Sequence, residues 1–559
     1  MILVKLTMHK EKYNQWLNSE KLDDKSREVL KSMTKEEIED SFFKDIEFGT
    51  GGIRGVLGLG TNRLNIYNLR RINYGFGQYL VDNYPDSKEQ GVVIAHDNRH
   101  MSKEFAQASA HVLNSFGIKV YLFKELAPTP QLSYAVRYLN AAGGIVITAS
   151  HNPPQYNGYK LYNNLGCQLV PHESSKVIEY VDKLPAALEI SIPKNVKENI
   201  IYLDEEIDNA FLDIVKAISI RNNANKKNLK VVFSPQHGTS YKLAKSMLSD
   251  ENYDLTLVKE QCTPDPDFTN TKSPNPEEPV AFELSIQYAK EADADICVTT
   301  DPDADRVGVA CKDENGEYVL ITGNQMGALF LDYIIKNSDV DLSSSYAVST
   351  VVTSDIGKQI CKMNNIQLDV VLTGFKFIGD VIYKYEETEP NKKFFFGYEE
   401  SYGYLFSDKV RDKDALQAVF IACEMAAVYK EQGITLLNKL DQIYKEYGYY
   451  LDKLFTFKMD GSEGMEKIAE IMSSIRKSGI SDMGGIKVTE IQDFNKSIMG
   501  LPKANVVKMY LEDESFVAFR PSGTEPKFKV YCCIKDSDKQ LATKKLEKIK
   551  LDIESIIHA

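Results

Sequence analysis

The 559-residue sequence has no excess of basic residues: 67 Lys and Arg stand against 80 Asp and Glu, a formal net charge of −13. General binding to DNA or RNA needs a basic footprint and is not expected. Anionic small molecules stay open, because local clusters of Arg and Lys decide that question. The eight cysteines (Cys167, Cys262, Cys297, Cys311, Cys361, Cys423, Cys532, Cys533) show no CxxC spacing and most sit in apolar contexts, as buried thiols in a reducing cytoplasm would. No run approaches eighteen consecutive apolar residues, and Met-Ile-Leu-Val-Lys-Leu at the start is too short for a signal-peptide core. A cytoplasmic protein without membrane contact is the expectation. Low-complexity tracts and Pro-rich linkers are missing as well.

What is present is ordinary for a folded chain, with 43% hydrophobic and 26% charged residues. The length implies three to five domains. Residues 9–45 are rich in Lys and Glu with apolar residues at helical spacing, predicting an N-terminal helical extension over 1–44. After it one layout recurs three times: a β-branched strand, a helical stretch, then a second strand running into a polar loop. The first strands are Gly91-Val-Val-Ile-Ala, Val231-Val-Phe-Ser and Tyr346-Ala-Val-Ser-Thr; the second are Gly144-Ile-Val-Ile-Thr, Asp295-Ile-Cys-Val-Thr and Phe394-Phe-Phe-Gly. This predicts an α/β fold of three related domains, over 45–200, 201–315 and 316–450. A fourth, α+β domain is expected over 451–559, with helices and turns from about 430 to 490 and a Lys-rich helix from about 537. Polar loops at strand ends are where ligands of α/β sheets tend to bind.

Those loops hold the unusual motifs. In Thr148-Ala-Ser-His-Asn-Pro-Pro-Gln-Tyr-Asn-Gly-Tyr-Lys160 an apolar strand stops at Ser150, and Asn-Pro-Pro forbids helix and ladder pairing directly afterwards. A lone serine at such a place is ordinarily a turn or capping residue. Here Pro, Asn and Gly fix a whole loop around it, and Lys160 closes the loop as a phosphate partner or an acid/base group. The loop is not a G-x-S-x-G elbow, so acyl transfer has no support. In Thr300-Asp-Pro-Asp-Ala-Asp-Arg306, the alternating Asp301, Asp303 and Asp305 point to one side of an extended segment. Converging like charges need a cation, and three carboxylates without His or Cys select magnesium or calcium. An EF-hand fails because Arg306 and Lys312 replace its glycine and glutamate; a solvated acidic turn is the plain alternative.

Phe519-Arg-Pro-Ser-Gly-Thr-Glu-Pro-Lys527 joins two strands and offers Arg520, Ser522, Gly523, Thr524 and Lys527, the equipment of a phosphate cradle or of a charged hairpin. Phe48-Gly-Thr-Gly-Gly-Ile-Arg-Gly55 offers Arg54 but lacks the GK[ST] ending of a nucleotide P-loop. Gly397-Tyr-Glu-Glu-Ser-Tyr-Gly403 offers Glu399 and Ser401, suited to sugar hydroxyls. Thr373, Gly374 and Lys376 of Thr373-Gly-Phe-Lys376 lie upstream as candidates to join it.

Taken in this order, FGTGGIRG, TASHNPPQYNGYK, DPDADR, TGFKF, GYEES and RPSGTEPK, the motifs resemble the α-D-phosphohexomutase superfamily, on the side of its bacterial phosphoglucomutases. The resemblance runs from about residue 45 to the C-terminus. It implies three α/β domains with mixed sheets flanked by helices, plus the C-terminal α+β domain, around one central cleft. It further implies that Ser150 is a phosphoserine, and that Asp301, Asp303 and Asp305 hold magnesium together with a Ser150 phosphoryl oxygen. Arg306 would support that phosphoryl group, Glu399 and Ser401 would read sugar hydroxyls, and Arg520, Ser522, Gly523 and Thr524 would grip the phosphate not being transferred. The implied activity is a phosphosugar mutase interconverting glucose 1-phosphate and glucose 6-phosphate, primed by glucose 1,6-bisphosphate. One departure stands out: some relatives carry a histidine just after the sugar-reading Glu-x-Ser, whereas Tyr402 and Gly403 follow Ser401 here. No histidine occurs between His237 and His558. Lys160 is then the acid/base candidate, with His151 and Arg54 as helpers. Mannose or pentose phosphates are alternative substrates of the same mechanism. A phosphoserine hydrolase and a non-catalytic calcium-binding scaffold are the rival readings, and oligomeric state is not legible.

Overall fold

Runs rich in Val, Ile and Phe become the central strands of four sheets, since such side chains pack well where both faces of a strand are covered. In the computed structural model the described residues are all but 1, 48–51, 194, 340, 460–461, 478, 523–526 and 559; the side chains of 2–7 and 462–463 also lie outside the description. The first sheet contains β1 (Ile53–Val56), β2 (Val92–His96), β3 (Val120–Phe123), β4 (Gly143–Ile147), β5 (Tyr156–Asn163) and β6 (Ile200–Leu203), in the order β1-β5-β4-β2-β3-β6. The second contains β7 (Lys230–Ser234), β8 (Asp254–Leu257), β9 (Ile296–Thr300), β10 (Val307–Lys312) and β11 (Tyr318–Ile321), ordered β11-β10-β9-β7-β8. The third contains β12 (Ser345–Thr350), β13 (Gln367–Val371), β14 (Lys393–Glu399) and β15 (Gly403–Leu405), ordered β13-β12-β14-β15.

One four-strand pattern therefore recurs: β5-β4-β2-β3, β10-β9-β7-β8 and β15-β14-β12-β13. In each unit the first strand pairs parallel with the second and third, and the fourth returns antiparallel to the third. The threefold layout seen in the sequence is thus a threefold repeat of strand order. It has a direct consequence for function. The turns 148–155, 301–306 and 400–402 all leave the third strand of their unit at the same edge.

The fourth sheet contains β16 (Tyr449–Lys458), β17 (Asp482–Met483), β18 (Ile486–Asp493), β19 (Val507–Leu511), β20 (Phe516–Pro521) and β21 (Lys527–Asp536), and the chain ends in the helix Lys539–His558. The stretch from about 430 to 490, expected as helices and turns, also contains β16, β17 and the start of β18. Tyr449, Tyr450, Phe455, Thr456 and Phe457 are strand formers, and pairing with β21 along the whole length of β16 realises that preference. The divisions expected at 200 and 450 fall inside β6 and β16, because β6 pairs with β3 of the first sheet and β16 with β21 of the fourth.

Alternation along β20 and β21 docks the fourth sheet. Phe516, Ala518, Tyr531 and Cys533 join the large apolar cluster of the second and third units. Val517, Phe519, Val530 and Cys532 face a separate core closed by Ile549 and Ile553 of the last helix. At the other end the extension forms the helices Ile2–Leu17, Asp24–Ser32 and Lys35–Phe42; Trp16 packs edge-on against Phe42 and Tyr67, tying it to the first unit. All eight cysteines are free. No helix among the described residues is long and apolar enough to cross a membrane.

Candidate functional site

Ser150 is buried in the turn between β4 and β5, with φ of 51°, a left-handed conformation that costs a non-glycine residue about 1–2 kcal/mol. Its surroundings hold it there. The Ser150 N–H donates to Thr148 Oγ1 at 2.8 Å, and Arg99 Nη2 donates to the Ser150 carbonyl at 2.6 Å. Arg99 also reaches the carbonyls of Asn152, Pro153 and Tyr156, so one buried guanidinium gathers the whole turn. Asp97 balances that charge from 3.3 Å. Gly158 permits the close return of the chain, since a Cβ there would lie 2.3 Å from the Thr148 carbonyl oxygen. Arg54, on β1 beside β5, donates to Asn152 Oδ1 at 2.8 Å.

The turn meets the acidic loop of the second unit. Ser150 Oγ donates to Asp301 Oδ2 at 2.6 Å, and Asp301, Asp303 and Asp305 are buried with ligand atoms within 4.8 Å of one another. Lys160 lies 2.9 Å from Asp303 Oδ2 and 3.4 Å from Asp305 Oδ2. Lys413 lies 3.1 Å from Asp305 Oδ2, and Arg306 pairs with Glu277 while its Nε stands 3.8 Å from Asp305 Oδ1. Burial, then the charges of Asp303 and Asp305, push the Asp301 carboxyl well above the usual carboxylate range. Burial works against Asp303 and Asp305 too, yet Lys160 on the one and Lys413 on the other hold both below it. Burial lowers the Lys160 ammonium, but Asp303 and Asp305 outweigh it and keep that group charged. Burial, then Arg306 and Arg54, push His151 well below the usual imidazole value, so its ring is neutral, with Nδ1 3.1 Å from Ser150 Oγ.

These residues fit a divalent cation. Asp303 Oδ1 and Asp305 Oδ1 are buried with no hydrogen bond among the described residues, a costly arrangement unless a ligand takes them up. An all-carboxylate set of this kind suits a hard ion.

The third unit brings Glu399, buried at the end of β14, whose Oε1 accepts the Gly374 N–H at 2.7 Å. Thr373 Oγ1 is buried beside it without a hydrogen bond among the described residues. Lys376 opens the helix Lys376–Thr388, its ammonium 5.5 Å from the Phe377 ring centre and its pKa pushed down to about 8 by burial. Ser401 is half-buried in the turn after Glu399, while Glu400 is pushed up to about 7 by burial and by Glu399. From the fourth unit, Arg520 Nη1 donates to Tyr531 Oη at 3.3 Å, and its guanidinium is within electrostatic reach of Glu400 and Glu399. The Ser522 N–H donates to the Lys527 carbonyl at 2.8 Å, closing the base of the hairpin. Gly523 and Thr524 lie outside the described residues, as does 48–51 of the glycine-rich loop.

Two residues escaped the sequence reading. Arg99 sits in His96-Asp-Asn-Arg at the exit of β2. Lys413 sits in Arg411-Asp-Lys-Asp414, whose last residue caps the helix Ala415–Glu431 by accepting the Leu416 and Gln417 N–H groups. Four charges ahead of a largely apolar, buried helix were the available signal. Lys413 also explains Gly403, which follows Ser401 and Tyr402 where some relatives carry a histidine. A Cβ there would lie 2.2 Å from Lys413 Cδ, so the lysine runs through the space glycine leaves and delivers its ammonium to Asp305.

The same support recurs by unit. The exit of each first strand braces the exit of the third: Arg99 behind Ser150, Thr239 N–H on the Pro302 carbonyl at 2.8 Å, and Thr350 and Thr353 hydroxyls on Glu400 at 3.3 Å each.

Against known families, models described as phosphoglucomutase/phosphomannomutase, alpha/beta/alpha domains I, II and III match residues 45–187, 209–316 and 322–447 in succession. The chain belongs to the phosphoglucomutase/phosphomannomutase family. It is 40% identical over 518 residues to a phosphoglucomutase of Staphylococcus epidermidis, covering 90% of this chain and 93% of that one. It is 39% identical over 512 residues to a phosphoglucomutase of Staphylococcus aureus, with 89% and 91% covered. Among solved structures it resembles parafusin, a phosphoglucomutase from Paramecium in an open form (TM-score 0.72, 18% identity, 92% and 96% covered). It also resembles a phosphoglucomutase/phosphomannomutase family protein of Burkholderia thailandensis (TM-score 0.66, 18% identity, 91% and 97% covered). The family places this fold in the α-D-phosphohexomutase superfamily, as the motifs suggested.

Proposed function

We propose that the protein is a phosphoglucomutase that carries the phosphoryl group on Ser150. It moves that group between the 1- and 6-positions of glucose by way of glucose 1,6-bisphosphate. The observation that carries the reading is the 2.6 Å hydrogen bond from Ser150 Oγ to a buried triad of carboxylates in which Asp303 Oδ1 and Asp305 Oδ1 accept no hydrogen bond among the described residues. Asp301, Asp303 and Asp305 would hold magnesium, which when bound supplies positive charge to the phosphoserine oxygens.

The remaining roles belong to the chain itself. A sugar hydroxyl attacks phosphorus as the bond to Ser150 Oγ breaks, and Arg54 and Arg306 are the cations on hand for the equatorial oxygens. The hydroxyl proton needs an acceptor, and the neutral His151 ring faces Ser150 Oγ. Lys160, the acid/base candidate of its motif, and Lys413 bind the carboxylates, offset their mutual repulsion and stay charged, which suits Lys160 to giving a proton rather than taking one. Glu399 and Ser401 would hold hydroxyls 3 and 4, the edge near the middle of the sugar. That edge keeps its place when the bisphosphate turns end for end. Arg520, Ser522, Gly523, Thr524 and Lys527 would hold the other phosphate, while Thr373, Gly374 and Lys376 line the approach. We divide the chain into four units, the first extended through Leu203 and the fourth starting at Tyr449. We also assign the protein to the cytoplasm, in keeping with eight free cysteines.

The test is kcat/KM for glucose, mannose, ribose and N-acetylglucosamine 1-phosphates, each with its matching bisphosphate. Glucose should lead. Mannose, which differs at carbon 2 away from the 3,4-edge, should follow with a discrimination of about 1–2 kcal/mol. A ribose value above the glucose value would overturn the substrate assignment.

A further inference from the structure

The helix Thr129–Tyr138 follows β3 in the first unit, and its first residue touches the acidic loop of the second. Thr129 is fully buried. Its N–H donates to the Asp303 carbonyl at 2.9 Å, and its Oγ1 donates to Asp303 Oδ2 at 3.0 Å, a carboxylate 174 residues further along the chain. Oδ2 therefore carries two donors, Thr129 Oγ1 and Lys160 Nζ, whereas Oδ1 of the same carboxylate is buried with no hydrogen bond among the described residues. A carboxylate pinned through one oxygen and through its own backbone carbonyl cannot rotate freely. Its free oxygen is fixed in direction. The loop is clamped from behind as well: Thr239 N–H holds the Pro302 carbonyl, and a Cβ on Gly238 would come within 2.4 Å of Pro302. Of these braces, the one that touches a ligand carboxylate is Thr129.

We propose that Thr129 is a positioning residue for the cation, holding Asp303 so that Oδ1 rather than Oδ2 faces the ion, and joining the serine-bearing unit to the metal loop. The inference rests on the triad being a divalent-cation site. Without the hydroxyl, Asp303 can turn Oδ1 toward Lys160 or Lys413, and the ion must compete with an ammonium. Outer-sphere partners of this kind are worth about ten- to a hundredfold in metal affinity.

Mn2+ provides a probe that is independent of turnover: free Mn2+ is counted by electron paramagnetic resonance as dephosphorylated protein is titrated. Thr129→Val should weaken the Mn2+ Kd about tenfold or more, while Thr129→Ser, which keeps the hydroxyl, should stay close to wild type. Should the valine variant fail to fold, Thr129→Cys, with a weak thiol donor, should show the same loss. A wild-type Kd in the valine or cysteine variant would overturn the positioning role alone. Absence of saturable Mn2+ binding by the wild type would overturn the cation site and this inference with it.

Discussion

Around Ser150 the charged groups are tied to one another across two sheets, whereas around Glu399 and Arg520 they are held chiefly from behind. Ser150 touches Asp301, Lys160 bridges Asp303 and Asp305, and Arg99 gathers four carbonyls of the serine turn. Glu399 is instead fixed by the backbone of Gly374, and Arg520 by the hydroxyl of Tyr531 on its own sheet. Under the proposed function this difference would match two tasks. A reacting phosphoryl group needs one geometry, and a site wired before substrate arrives would supply it. The opposite pole would take the sugar phosphate in two orientations, which calls for groups less tied to one another.

The largest effect should come from breaking the wired pole at its centre. Ser150→Ala should lower turnover at least about a thousandfold, as loss of a covalent nucleophile does. Intact-protein mass spectrometry should show a phosphate on the wild type and none on the variant. Retention of more than a few per cent of activity would refute the assignment, and would leave the hydrolase and mutase readings equally unsupported. Next, Asp303→Ala should abolish activation by magnesium, and chelation with EDTA should silence the wild type. If metal-free protein turns over normally, the buried carboxylates have another purpose. At the second pole, Arg520→Ala should cost about 2–4 kcal/mol in kcat/KM through one lost charge-assisted pair. It should spare phosphorylation of Ser150 by the bisphosphate more than it spares completed mutase turnover. Unchanged kinetics would put the hairpin outside the site.

The comparison also shows what the sequence could reveal. Loops whose composition is unusual were readable: Asn-Pro-Pro after Ser150 and the alternating Asp301, Asp303 and Asp305 impose their geometry within ten residues. The repeat was readable as well, because most of its strands are buried on both faces and therefore read as largely apolar runs. Arg99 and Lys413 were not. Each acts on residues far along the chain, on 150–156 in one case and Asp305 in the other, and local sequence carries no record of such a meeting. Gly403 is the instructive case. It read as a missing histidine, while its real meaning, room for Lys413, depends on a residue ten positions later folding back over it. β16 was legible in part: Tyr449, Tyr450, Phe455, Thr456 and Phe457 favour a strand, while its half-exposed faces and Asp452-Lys453 blur the alternation until β21 pairs with it.

The smallest effect on turnover concerns how the second pole is fastened, and its effect on stability has a defined sign. Lys508 of β19 is almost fully buried between the rings of Tyr510 and Phe516 and donates to the Val351 carbonyl of the third unit at 3.0 Å, with Asp355 Oδ1 at 3.6 Å. Burial pushes its pKa down to about 7, against the pull of Asp355 and with help from Lys358. Close by, burial pushes Asp452 of β16 up to about 7, with Ser354, Cys533 and Asn324 opposing and Asp355 adding to the rise. Lys358, Tyr510 and Cys533, which face the same cluster, are all shifted upward and stay protonated. Between about pH 7 and 10 the folded state binds fewer protons at Lys508 than the unfolded chain does, so stability rises with pH there. Between about pH 4 and 7 the folded state binds more protons at Asp452, so that contribution falls as pH rises. The junction of the third and fourth units should therefore be weakest near neutrality. Each limb should slope by at most about 1.4 kcal/mol per pH unit. Hydrogen exchange of 507–536, corrected for intrinsic rate, should show the minimum, while 143–163 around Ser150 should not. Lys508→Met should flatten the upper limb and Asp452→Asn the lower one. An upper limb that survives Lys508→Met would mean that the fastening is not electrostatic, and the contrast between the two poles would then rest on their ligand-facing groups alone.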